Sequence, residues 1–547
     1  MSSTPSMPLL GDSTSVTQPL TYSPALDKTV RLLILFVVTL VTSMEFLTSY
    51  AIGVALPDIG GDLSASFDEA SWIITTYMTC FLIGLMLSNW LSDRIGYRRH
   101  MILAVTLFMC SSAACGFSHT LTQMLICRGF MGFGGSNFLV RGQTAIYRSY
   151  ARGKARFVAL FVYVIGVVVF ARTFAPAVGG YLTEWYSWRY IFFLNVPLSL
   201  AALVILIGYL PDVRAKIEHP HLDVPGLLLL IGWVAPLQIV LSRGERDDWF
   251  SDPFICALSL TAACCFPAFI WWERHPANIS PIMSLTPYRS RNFAFGSIYV
   301  VILGMMLYGQ LYFVPQFLRF VQHHSAEGTG NLQTVDAAAF TVGLITGAFI
   351  MRRIGFRVAL AVGAVIFAAG MWCWTTRLTP TISDTEMFLP LILTGFGAGW
   401  QIGPISTLIN SEIPSILLGE SMQLYLFQRQ IGGSWNIAFL TILVDRQRSF
   451  WSSRLGENIT EYNLAAQDAI RQGTGALQLK GFPQAQAEAG AAQLVHLRLL
   501  LQSIVNAFQD TFFYQSLIGL AALCLLLFFA KGHVIKDMAR WFVTLVR

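Results

Sequence analysis

Charge is what this chain has little of. Asp, Glu, Lys and Arg make up only 12% of its 547 residues, against 55% hydrophobic. Soluble domains carry about twice that share of charge, so a water-soluble globular protein is excluded. The nine cysteines, Cys80 to Cys524, all sit inside apolar runs and form no C-x-x-C pair. That spacing excludes a disulfide framework and a zinc site. No nucleophile–base pattern or cluster of metal ligands is present, so neither an enzyme nor a metal or other cofactor is expected. Residues 1–27 are rich in Ser, Thr and Pro and lack an apolar core, which excludes a signal peptide. The net charge of +6 suits loops facing anionic lipid and is no sign of a nucleic-acid partner.

What the chain does have is long apolar runs. A hydrocarbon core of about 30 Å takes about 20 helical residues, and fourteen runs of about that length can be marked out. The expected fold is an all-α integral membrane protein with fourteen transmembrane helices. With the N-terminus inside, most Lys and Arg fall on cytoplasmic segments, which places both termini in the cytoplasm. The segment 410–420 runs against this pattern, with Glu412 and Glu420 but no Lys or Arg.

The runs divide as six, two and six. A flexible cytoplasmic tail (1–28) precedes a six-helix bundle (29–211). Connectors and two inserted helices (212–291) lead into a second six-helix bundle (292–530) and a cytoplasmic tail (531–547). Two such halves around a midplane site is an arrangement of membrane transporters. Within the second half, 445–502 is polar and rich in Gln and Ala. Its stretch Ala485–Leu501 joins good helix formers to an apolar face, which predicts a helical hairpin projecting outside. Asn458-Ile459-Thr460 matches a glycosylation sequon, a pattern that often arises by chance.

The segment Ser88–His100, SNWLSDRIGYRRH, joins two apolar runs through a short charged turn. It resembles the loop between helices 2 and 3 of the major facilitator superfamily, G-x-L-a-D-r-x-G-r-k. Leu91, Asp93, Arg94, Gly96 and Arg98 match, while Asn89 replaces the leading glycine and Tyr97 a basic residue. The resemblance implies a cytoplasmic gate in which Asp93 helps lock the closed state and Arg94 and Arg98 cap helix ends. The segment MRRIGFR (351–357) stands where a second copy belongs. Gly355 and Arg357 fit it, with Arg352 in the place of Asp93.

Three further stretches sharpen the resemblance. Arg128, Gly132 and Gly134 in ICRGFMGFGG (126–135) fit the span-4 pattern R-x-x-x-G-x-G, whose Arg is tied to proton coupling. Pro176, Gly179 and Gly180 match the antiporter pattern G-P-x-x-G-G, with Ala175 for its first glycine. The residues that follow, Trp188-Arg189, Phe192-Phe193, Asn195 and Pro197, match W-R-x-x-F-x-x-N-x-P of the fourteen-helix drug:proton antiporters, the EmrB/QacA group. Arg429, Gly432, Gly433 and Ser434 fit its R-x-x-G-G-S element, and the long loop before the last span looks more like EmrB.

Span 1 departs from that group. It reads LTSYAIGVALP (47–57), with Thr48 where the family Asp belongs and Gly53 where its Asn belongs. Glu45 lies three residues earlier, near mid-span, and about 4.5 Å along the helix axis from the family position. A carboxylate there either titrates or stays in an ion pair, with Arg128 or Arg172 as the available partners. Arg172 is a second departure, in a place usually apolar or small.

The resemblance implies proton-coupled export of hydrophobic or amphiphilic small molecules by alternating access in an inner membrane, of the multidrug type. Glu45 and Arg128 would carry the coupling; Thr48, Arg172, Gln310, Gln401 and Arg429 are candidates for the substrate cavity. A periplasmic adaptor of the EmrA type is the implied partner, beside substrate, protons and lipid. A dedicated exporter of one metabolite, such as a siderophore or acidic compound, is the alternative within transport. A receptor or scaffold on the same fold would need neither Asp93 nor a buried Arg.

Overall fold

The computed structural model describes residues 27–150, 154–211, 221–245, 247–278, 280–414, 417–457 and 463–529. The two expected tails, apart from Asp27 and Lys28, lie outside the described residues, as do 212–220 of the first connector and the Asn458 sequon.

All regular structure among the described residues is helical. The first half holds α1 (Lys28–Asp62), α2 (Phe67–Ile95), α3 (Tyr97–Gly116), α4 (Leu121–Gly135), α5 (Phe138–Ser149), α6 (Lys154–Val167), α7 (Ala175–Trp185), α8 (Arg189–Phe193) and α9 (Asn195–Tyr209). Then come α10 (Val224–Arg243) and α11 (Pro253–Glu273). The second half holds α12 (Arg291–Phe320), α13 (Ala326–Ile354), α14 (Phe356–Arg377), α15 (Asp384–Asn410), α16 (Leu418–Gly456), α17 (Leu464–Leu479) and α18 (Gln484–Phe529).

Twelve helices among the described residues are long and apolar enough to cross a membrane. The other two expected spans fall short for reasons in their sequence. Residues 121–149 break at Ser136 and Asn137 into α4 and α5 and bury Arg128 and Arg141. Helix α16 is long, but Gln423, Gln428, Arg429, Gln430 and Asn436 lower its hydropathy. The first falls short by length, since α4 has 15 residues, and the second by its polar content.

Two junctions repeat across the halves. Gly96 (φ 93°, ψ 148°) separates α2 from α3, and Gly355 (φ 81°, ψ 151°) separates α13 from α14. The sequences around them, RIGYR and RIGFR, are nearly the same. A single residue at positive φ turns the chain from one helix into the next, a conformation that disfavours any side chain with a Cβ.

Helix α6 leads into α7 through a π-helical turn, Val168–Thr173. Pro176 lies in the first turn of α7 and has no N–H to donate to the preceding turn, so the ladder widens just ahead of it. Arg172 sits in that widened turn.

Packing then brings the halves together. Helix α4 lies against α2 and α3, α15 against α13 and α14, and α12 against α16. Between the halves, α13 packs on α7, α16 on α2 and α12 on α1. Helices α10 and α11 pair at the periphery, where Leu260 and Trp271 of α11 are exposed. Helix α16 continues past residue 445 to Gly456, and α17 folds back on α18 through a turn containing Gly481 (φ 91°). The acidic 410–420 segment has a local partner: Glu412 accepts from Ser290 Oγ (2.7 Å) and Asn292 Nδ2 (2.9 Å), tying the end of α15 to the start of α12.

Candidate functional site

The charged residues inside the bundle converge on a central cavity with two lobes. The larger, by the extent of its lining, is formed by Glu45, Ser49 and Gly53 of α1, Tyr77 of α2, Arg128 of α4 and Gln430 of α16, among others. The smaller is lined by Arg172, Phe340 and Arg429, among others. Phe46, Tyr50, Tyr308 and Leu311 belong to both. The site is therefore built from both halves.

Glu45 is only 6% exposed and accepts a hydrogen bond from the Tyr77 hydroxyl at 2.9 Å. The Arg128 guanidinium lies 4.1 Å from the centre of the Tyr77 ring, and its Nε donates to the Ile73 carbonyl at 3.3 Å. Arg128 is 1% exposed, so it points into the bundle and not toward the outer surface. Among the described residues no Lys or Arg forms an ion pair with Glu45 within 4.0 Å. Tyr77 thus connects the two charges, its hydroxyl on one and its ring on the other. An aromatic residue in an apolar span carries no signal that would have marked it for this place.

Arg172 has a partner other than Glu45, the carboxylate expected of it. Its Nη2 lies 3.3 Å from Oδ2 of Asp336 on α13, a bond between the halves, and both residues are buried. The Phe340 ring centre is 3.7 Å from the guanidinium, and Tyr50 Oη accepts from Nη1 at 3.3 Å. Gln310 donates to Asp336 and, at 2.7 Å, to Thr394 Oγ1, so it braces the pair from behind and lines neither lobe.

Two other candidates lie outside the cavity. Thr48 donates to the Met44 carbonyl (2.9 Å) and accepts from Asn195 Nδ2 (2.8 Å), on the side of α1 that faces α9. Gln401 is fully buried, bonded to Tyr299 and the Gly397 carbonyl. Arg429 does line the smaller lobe, with its guanidinium 5.6 Å from the Tyr425 ring centre. The residues of the pattern beginning at Trp188 serve as ties. Trp188 Nε1 and Arg189 bond Asp62 at the end of α1 (2.9 and 2.7 Å), and Asn195 joins Thr48 to Ser112.

At the end of the bundle marked by Gly96, Arg98 donates to the Ile207 carbonyl and so caps α9, while Arg94 is exposed. Asp93 is half-buried without an ion pair among the described residues, with Arg141 and Arg148 supplying positive charge nearby. The bonds that cross between halves here depend on Gln423, which the sequence did not single out. Asn89 Nδ2 donates to Gln423 Oε1 (2.6 Å) and Gln423 Nε2 to the Leu85 carbonyl (2.7 Å), while Arg141, within the first half, donates to Ser88 and Asn89 (3.0 Å each). At the opposite end Arg319 donates to both oxygens of Asp58 (2.6 Å), and Glu184 accepts from the Ala326 amide (2.9 Å). Pro176 and Gly180 lie at this interface, Gly180 so close to α13 that a Cβ would come within 2.3 Å of the Ala326 carbonyl oxygen, while Gly179 packs on Ala51 of α1 in the same half.

Known proteins share both the sequence pattern and the fold. The sequence model of the Major Facilitator Superfamily matches residues 38–435. The chain is 27% identical over 514 residues to the multidrug export protein EmrB of Haemophilus influenzae, covering 93% of this chain and 97% of that protein. It is 28% identical over 494 residues to the multidrug export protein EmrB of Escherichia coli, covering 90% and 94%. The POT family transporter PepTSo superposes with a TM-score of 0.62 at 12% identity, covering 92% of this chain and 99% of that one. That likeness is one of fold.

Proposed function

This chain belongs to the major facilitator superfamily, and from that premise we propose that it is a proton-coupled exporter of hydrophobic or amphiphilic small molecules, of the EmrB multidrug type. In this reading 121–149 and α16 also cross the membrane, which gives fourteen spans in an inner membrane with both termini in the cytoplasm. The end marked by Gly96 is then cytoplasmic, the end holding Asp58 and Arg319 is external, and the hairpin of α17 and α18 is the docking element for a periplasmic adaptor of the EmrA type.

The observation that carries this reading is the state of Glu45. It is a carboxylate buried between the halves, beside Arg128 in a cavity, and held by a hydroxyl instead of a cation. An unpaired buried charge is costly, so Glu45 is stable when protonated and is free to release its proton once the cavity opens to water. Substrate and proton then take turns in one cavity as the halves rock about it. Asp93, Arg94, Gly96 and Arg98 shape the cytoplasmic closure; Pro176, Gly179 and Gly180 let α7 move against α13.

Proteoliposomes with an imposed pH gradient test this. Wild-type protein is expected to move an amphiphilic substrate against the proton flux, and Glu45→Gln to bind it without gradient-driven transport. Wild-type rates from Glu45→Gln would move the proton site to Asp336, or to Asp510, whose carboxylate accepts from Trp451 Nε1 at 2.7 Å.

A further inference from the structure

The smaller lobe has a charge pattern of its own. Arg172 and Arg429 line it, and no Asp or Glu is among its lining residues. Arg429 has no carboxylate within 4.0 Å among the described residues, and its buried Nε has no hydrogen-bond acceptor. Arg172 is paired, but its partner Asp336 is not among the residues that line the lobe, and the Arg172 Nε is also left without an acceptor. Two guanidinium groups therefore line one small space, and each leaves its Nε without an acceptor. A guanidinium is a planar fork suited to a carboxylate. The wall shared with the larger lobe is apolar and aromatic: Phe46, Tyr50 and Leu311.

Across both lobes the lining carries three Arg against one Glu. A lipophilic cation entering here would be desolvated among like charges. An amphiphile with an anionic head would instead satisfy the free donors and lay its chain along the shared wall.

We propose that the smaller lobe is a carboxylate subsite, in which Arg429 binds the anionic head of an amphiphilic substrate and Asp336 acts as an internal competitor for Arg172. This deepens the export reading and rests on it for the direction of movement. In the empty cavity Asp336 holds Arg172; when substrate enters, its carboxylate takes Arg429 and shares Arg172. Asp336 links α13 to the π-helical turn of the other half, so substrate binding loosens a bond between the halves.

The test compares dodecanoate, dodecanol and dodecyltrimethylammonium for binding to the full chain in lipid nanodiscs, with empty discs as the partitioning control. Wild-type protein is expected to bind dodecanoate about tenfold more tightly than either other probe. Arg429→Gln should bring dodecanoate down to the affinity of dodecanol and leave dodecanol unchanged, while Arg429→Lys keeps part of the preference. Asp336→Asn removes the competitor and should tighten dodecanoate binding several-fold.

Equal affinities for the three probes in wild type overturn the proposal. So does a dodecanoate affinity unmoved by Arg429→Gln, or one weakened by Asp336→Asn. Should Arg429→Gln not yield monodisperse protein, the wild-type ranking and Asp336→Asn decide. Export fails separately. Proteoliposomes that move none of the probes while binding still favours dodecanoate would remove export and leave the subsite. Export of the ammonium probe without dodecanoate would do the reverse.

Discussion

At the scale of the residue, Glu45 and Arg128 were legible in the sequence because a charge in an apolar run is expensive and stands out. Their relation was not legible. It depends on Tyr77, which is one of 18 tyrosines and acquires meaning only when α2 is packed beside α1 and α4. A hydrogen bond to a charged group contributes about 1.5–3 kcal/mol, so Tyr77→Phe should slow proton-driven transport by about tenfold or more while leaving Glu45 in place. A gradient-driven rate unchanged by Tyr77→Phe would show that the hydroxyl has no part in holding the proton site. Thr48 lies three residues from Glu45, and here the helical period decides. Three residues turn the chain by about 300°, which leaves the two side chains about 60° apart. That is enough for Glu45 to reach the cavity while Thr48 bonds Asn195. Placing Asp at Thr48 in the Glu45→Gln background should therefore restore no coupling in the pH-gradient assay, and recovery of even a tenth or so of the wild-type rate would show that α1 turns during transport.

At the scale of the element, the segment 154–185 shows how a motif acts through backbone. Pro176 removes a donor, the turn before it widens, and Arg172 is carried into the cavity lining. The sequence announced the bend through its Pro and Gly residues. It could not announce the contact, because the surface that α7 approaches belongs to a helix about 150 residues away. A Cβ at Gly180 would lie 2.3 Å from the Ala326 carbonyl oxygen, and one at Gly330 would lie 2.2 Å from the Pro176 carbonyl oxygen. Overpacking costs about 1–3 kcal/mol. Gly180→Val should thus lower the melting temperature in detergent and cut transport, whereas Gly61→Ala, with open space around it, should do neither. Equal melting temperatures for Gly180→Val and wild type would mean that α7 does not sit this close to α13. The hairpin of α17 and α18 was legible from helix propensity and composition. Its use is tested by replacing 463–495 with a Gly-Ser linker. Transport in proteoliposomes should persist while resistance of whole cells falls, and loss in both would assign the hairpin to the pump itself.

At the scale of the whole molecule, bonds between halves stand at both ends of the bundle, on either side of the cavity. The charged Asp58–Arg319 pair stands at one end, external in the proposed orientation, with the neutral Asn89–Gln423 contact at the other, cytoplasmic in that orientation. The sequence offered the fold through its runs and its two RIG-aromatic-R turns, but docking of the halves pairs residues 142 to 334 positions apart, beyond any local pattern. An exporter must open each end in turn, so each set of bonds biases the resting population toward closure at its own end. Removing one shifts the population toward opening there by the free energy that the bonds held. Ser49 lines the larger lobe and serves as a reporter once replaced by cysteine in a background lacking the native thiols. With Ser49→Cys in place, Arg319→Gln should raise the rate of labelling by a membrane-impermeant maleimide from the external side by about tenfold, for a lost charged bond of about 1.5–3 kcal/mol. Gln423→Leu should raise labelling from the cytoplasmic side of inverted vesicles, and by less, because the bonds it loses are neutral. The ranking is the decisive feature: if Gln423→Leu opened the external side, or Arg319→Gln left labelling unchanged, the bonds at the two ends would not be latches of the alternating cycle.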